Sequence, residues 1–158
     1  MLGADPATIC LVFIALLVGS SVGDHWVQSS CQAATKGQPG WPGRWACARH
    51  VAGLTLTQGI ALLLVWLVAD ITLHPLALSA GLAINATTHY WADRRTTLAR
   101  LAKTVGRSEF YSVGSASHPN APATAAGEPA AHLGTGAYAL DQSWHLAWAF
   151  IAALVAAL

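Results

Sequence analysis

Acids and imidazoles stand in short groups along an otherwise apolar chain: Asp24, His25 and Gln28; His50 alone; His89 and Asp93; Asp141, Gln142 and His145. Three groups contain residues four apart (Asp24 with Gln28, His89 with Asp93, Asp141 with His145), which a helix stacks on one face. His50, His89 and His145 with Asp93 and Asp141 make a ligand set suited to Zn²⁺ or another divalent transition metal. Asp24 and Asp93 are then the candidate bases for metal-assisted hydrolysis, and a carboxylate one turn from a ligating imidazole can instead orient it. Gln28, Asn85 and Gln142 supply supporting hydrogen bonds. The same residues could instead form an interhelical hydrogen-bond network that pins helices in register with no ion.

The elements that must position these groups follow from composition. Of 158 residues 54% are hydrophobic and 9% charged, against roughly 25% charged in a soluble domain. The net charge of +1 excludes a strongly charged disordered tail and leaves no electrostatic footprint for nucleic acid. A small all-α integral membrane protein remains. Four stretches, 7–27, 49–69, 71–91 and 138–158, are apolar enough and long enough to cross a hydrocarbon core, which takes roughly 20 helical residues. The third is the most interrupted, by Thr72, His74, Pro75, Asn85 and His89.

Between the first two spans, GQPGWPGRW reads as a loop whose turn formers cannot continue a helix. Residues 94–107 repeat Leu98, Leu101, Ala102 and Val105 at helical spacing among Arg and Lys, as expected of a basic helix lying on anionic inner-leaflet lipid. Residues 112–136 turn to Ala, Pro, Ser and Gly and read as a flexible linker, placing His118 and His132 in solvent. His74 starts a helix at the opposite face, and His25 lies off the paired face.

If all four segments span, all 8 Lys and Arg fall on one side, which puts both loops in the cytoplasm and both termini outside. Trp26, Trp45, Trp91 and Trp144 fall at the same inner boundary, where amphipathic rings sit. Alternating chain direction then carries every acid and imidazole of the cluster to that boundary. Cys31 and Cys47 share a cytoplasmic loop and are expected as free thiols, and Cys10 as packing. No Walker sequence, GxSxG elbow, dinucleotide fingerprint or HExxH motif occurs.

GDHWVQ with Asp24 and Gln28, Lys36, His50, THYWAD with His89 and Asp93, and DQSWH with Asp141, Gln142 and His145 together resemble the domain of unknown function 3307 family. The resemblance implies a polytopic protein of a bacterial cytoplasmic membrane and carries no established activity. Members often place a His one turn before the first Asp, where this chain has Ser20. The expected architecture is a bundle of four transmembrane helices plus the basic interfacial helix, in one membrane domain. Its functional centre is a cytoplasm-facing His/Asp cluster, read as a divalent-metal site hydrolysing a membrane-associated substrate. The alternative is a scaffold or assembly subunit, pairing with a second copy of the chain through small-residue stripes and with lipid through the basic helix. Ion translocation is disfavoured by the few polar residues in the outer halves of the spans.

Overall fold

The computed structural model describes residues 5–115 and 134–158. Among these, 82% are helical and none is in a strand. The helices are α1 (Pro6–Val22), α2 (Ser30–Thr35), α3 (Gly40–Val68), α4 (Pro75–Asp93), α5 (Thr96–Thr104), α6 (Ser108–Ser112) and α7 (Gly136–Ala156), with a π-helical turn over Gly23–Val27.

Each boundary has a local cause. Asp5 caps α1 by accepting from Thr8 N–H at 2.9 Å and from the Thr8 hydroxyl at 3.0 Å, while Pro6 occupies the first turn, where its missing N–H costs nothing. The Thr8 backbone N–H, then its hydroxyl, hold the Asp5 carboxyl below its usual range. Ser29 and Gln32 close a capping box that starts α2 inside the expected loop. α3 begins well before residue 49: Pro42 lies in the first turn of the helix, where no intrahelical N–H bond is required, so GWPGRW does continue a helix. α4 starts four residues later than expected, because Pro75 is its first residue and holds His74 extended. α5 and α7 lie within a few residues of their expected ranges. Of the expected linker 112–136, residues 116–133 lie outside the described residues, and so do His118 and His132.

The four long helices pack side by side, α1 against α3 and α7, and α4 against α7 and α3. Val12, Ala15 and Leu16 of α1, Leu62 of α3 and Ala149, Ala152, Ala153 and Ala156 of α7 form the core, joined by an edge-to-face contact of Phe13 with Phe150 at 5.7 Å. Glycines set the closest approaches. A Cβ on Gly19 would lie 2.5 Å from Gln58 Cα, and one on Gly81 would lie 2.6 Å from the Ala152 carbonyl oxygen. Residues four apart on α4 line its inner face: Ala77 is half-buried, and Gly81, Asn85, His89 and Asp93 are buried.

The outward surface is apolar as well. Ile14 and Val18 of α1 and Leu56, Ile60, Leu63, Leu64 and Leu67 of α3 are exposed, the kind of apolar surface that marks contact with a membrane or a partner. Two helical stretches, Pro6–Val27 and Gly40–Val68, are long and apolar enough to cross a membrane. α4 and α7, which carry the polar cluster within their length, fall short of that measure among the described residues.

Candidate metal centre

Four helical segments deliver the cluster: the turn after α1, and α3, α4 and α7. At the end of α1 the π-helical turn bonds Gln28 N–H to the Gly23 carbonyl at 2.9 Å. This wider turn leaves Gln28 outside the helix in an extended conformation, so Asp24 and Gln28 do not share the regular face that their spacing suggests. Gly23 packs so closely on Leu54 that a Cβ would come within 2.9 Å of its Cα; the close contact brings Asp24 to His50 on α3. His25 turns back, its Nδ1 lying 2.8 Å from the Ser21 carbonyl, and stays out of the cluster as expected.

The centre itself is compact. His50 Nε2 and His89 Nε2 are 3.2 Å apart. Asp24 Oδ1 lies 3.1 Å from the first and 3.5 Å from the second. Asp93 Oδ2 lies 3.1 Å and 3.3 Å from the same two nitrogens. Two triangles of donor atoms thus share the His50–His89 edge. Ligand atoms about 2.0–2.1 Å from a tetrahedral zinc-class ion are roughly 3.3–3.4 Å apart, so either triangle has the edge length such an ion requires.

The hydrogen-bond accounting agrees. Asp93 is buried, and its Oδ2 receives no aligned hydrogen bond despite both nearby nitrogens; the ring N–H axes do not aim at it. Its other oxygen is held by Lys36, whose Nζ lies 2.8 Å from Oδ1. A carboxylate with one oxygen fixed by a cation and the other turned toward two imidazoles suits metal ligation. The donor set fits a divalent ion.

His145 and Asp141 form an outer arc. The His145 ring stacks on His89 with centroids 3.8 Å apart, and its Nε2 lies 3.4 Å from Asp141 Oδ1 and 4.0 Å from Asp93 Oδ1. Asp24, His50 and His89 form one candidate ligand group, and His89, Asp93 and His145 a second. Asp141 touches His145 and accepts from Gln142 Nε2 at 3.4 Å, an orienting position. Asn85 is elsewhere: its Nδ2 donates to Gln58 Oε1 at 3.0 Å, and Gln58 Nε2 donates to Ser20 Oγ at 2.8 Å and to the Leu16 carbonyl at 3.2 Å. This is a second polar layer beneath the cluster, and Ser20 belongs to it. Gln58, fully buried, escapes sequence reasoning, although it is a lone amide in the uncharged run 51–69.

Composition and spacing make Lys36 only a loop cation, although it is among the residues that carry the family resemblance. Arg94 places it, donating to the carbonyls of Lys36 and Gln38 at 2.5 Å each, while Arg95 Nη2 donates to the Ala33 carbonyl at 3.2 Å. Arg95 sits at φ +56°, the one non-glycine residue with positive φ among those described, a conformation costing about 1–3 kcal/mol.

Two cavities flank the centre. A cavity of about 580 Å³ is walled by Gln28, Lys36, Asp93, Arg95, Tyr111 and Asp141 among others. Burial, with the Asp141 charge, pushes the Tyr111 phenol above its usual range, and Arg95 pulls it the other way. A smaller one of about 220 Å³ opens beside Asp24, Gln142 and His145. Cys47 is a buried packing thiol whose Sγ lies 3.6 Å from the Tyr90 carbonyl, and Cys10, Cys31 and Cys47 are all free. No known protein family, curated protein or solved structure matches the chain.

Proposed function

We propose that this chain is a polytopic membrane protein in which α1, α3, α4 and α7 all cross the bilayer as a four-helix bundle, with a divalent-metal centre at the cytoplasmic headgroup level that hydrolyses a membrane-associated substrate. The observation that carries the reading is the His50–His89 pair of nitrogens at 3.2 Å, flanked by carboxylate oxygens of Asp24 and Asp93. Membership of the domain of unknown function 3307 family, a bacterial cytoplasmic membrane and termini facing outward belong to the same proposal, as do an anionic inner leaflet under α5 and a second copy of the chain as partners.

His50 and His89 would hold the ion with Asp24, Asp93 or both. A zinc-class ion there supplies Lewis acidity and lowers the proton affinity of water brought to it. Whichever of Asp24 and Asp93 is left free to accept a proton acts as the base. Asp24 is the freer of the two, because Asp93 is tied to Lys36. Asp141 orients His145, and Lys36 offsets the charge of Asp93.

Metal analysis of protein purified in detergent tests the reading. Wild type should retain or take up close to one divalent ion per chain, and His50→Ala and His89→Ala should lose it. A wild type that neither retains nor binds zinc, manganese or cobalt overturns the proposal. The second reading, a purely structural network, is favoured by the Asn85–Gln58–Ser20 layer, which links the same helices without an ion; there, alanine at His89 would lower the melting temperature equally with and without added metal.

A further inference from the structure

The cavity beside the centre does not end in polar groups. Leu98 of α5 walls it and also walls a second, apolar groove of about 250 Å³ between α5 and α7, lined by Leu101, Val105, Leu140, Trp144 and Ala147. The polar side presents donors. Lys36 spends one of three N–H groups on Asp93. Arg95 has donors beyond the one on Ala33. Gln28 Nε2 is buried with no hydrogen-bond partner. The Tyr111 phenol, in the same wall, is a further donor. Lys36 and Arg95 are balanced in the same wall by the carboxylates of Asp93 and Asp141, so the two cations and two neutral donors suit the acceptor oxygens of a phosphate group when an ion at the centre offsets those acids.

We propose that the cavity and the adjoining groove form one site for a phosphate-headed lipid, with the phosphate among Lys36, Arg95, Gln28 and Tyr111 and an apolar chain along the α5–α7 groove. This deepens the metal-dependent reading by naming its substrate class, and it rests on that reading insofar as the ion offsets the acidic side chains facing the phosphate. Because Asp93 belongs both to the centre and to the cavity wall, a headgroup in the cavity would lie next to an ion held by the centre. By adjacency, an apolar groove that shares Leu98 with a polar, charge-lined cavity fits an amphiphile.

The test compares wild type, Arg95→Gln and Ala147→Trp in nanodiscs of phosphatidylcholine with or without phosphatidate. Retained lipid is measured by native mass spectrometry, inorganic phosphate binding by calorimetry, and metal content on the same samples. Wild type should retain phosphatidate at least 10-fold over phosphatidylcholine. Arg95→Gln should lose that preference and phosphate binding together, with metal unchanged. Ala147→Trp fills the groove with a surface residue and should lose phosphatidate while keeping inorganic phosphate. No phosphatidate preference in metal-loaded wild type overturns this inference alone. Phosphate binding without lipid preference makes the cavity a soluble-phosphate site and overturns the lipid assignment. Equal phosphatidate retention by Ala147→Trp overturns the groove assignment. Lipid preference in a protein that binds no metal overturns the metal reading and leaves the lipid site standing.

Discussion

Asp93 divides its two oxygens between unlike tasks, and the division has measurable consequences. Oδ1 faces Lys36, while Oδ2 faces two imidazoles. Replacing Lys36 with Met leaves a buried carboxylate with no fixed cation, a loss on the order of 3 kcal/mol. A divalent ion at the centre would restore much of it. Thermal unfolding of Lys36→Met should therefore show a large drop without metal and a clearly smaller one with zinc, and equal drops would sink the coupling. Asn85→Leu strands Gln58 Oε1 inside the protein and should cost about 1–3 kcal/mol, with metal content unchanged because Asn85 belongs to the lower layer. Asp5 carries a pH dependence of known sign. Its carboxyl is held below the ordinary value of 3.8 in the folded chain, so its charge stabilises the folded state above that pH and ceases to do so as pH falls through the lowered value. The stability difference between wild type and Asp5→Asn should stay constant above about pH 5 and shrink in stronger acid.

Helices place these residues by contacts that side-chain chemistry does not announce. Gly81 lets α4 touch α7 so closely that even a methyl group would strike the Ala152 carbonyl oxygen. Gly81→Ala should force a backbone shift costing about 1–3 kcal/mol, and Gly81→Val more, read as a falling melting temperature and weaker metal retention, since His89 lies two turns along the same face. The spacing of small and polar residues on α4 and α7 is readable in the amino-acid order alone, because burial demands period and direction together. The Ser29–Gln32 capping box is likewise present as a signature, in a stretch whose composition otherwise reads as loop. The π-helical turn is not readable: it changes one hydrogen-bond register without altering the order of apolar residues, so the spacing of Asp24 and Gln28 still looks like a helical pair. The long N-terminal extension of α3 is hidden for a different reason, since Pro and Gly break a helix by their position in it, and a first turn tolerates both.

At the scale of the molecule, direction reversal between successive helices accounts for how the sequence foretells the centre. Asp24 and His145, near opposite ends of the chain, need only alternating helices to reach one depth. The cation Lys36 and the amide Gln58 escape such reasoning because neither shows a periodicity of its own; tertiary contacts alone recruit them. The proposed topology is checked by reporter fusions active only outside the cytoplasm. Fusions after residue 158 should report outside and those after Arg107 inside, and the reverse result would overturn the orientation while leaving the centre intact.

The unequal lengths of two neighbours carry one more consequence. α3 has 29 residues and α4 has 19, close to 44 Å and about 28 Å along their axes. If both cross the same bilayer, the shorter one barely equals an average hydrocarbon thickness, while the longer must lean or protrude. Acyl-chain length thus becomes a variable the protein feels: thick membranes would strain the flank built on α4, and thin ones would relax it, so bilayer thickness should select where this protein resides.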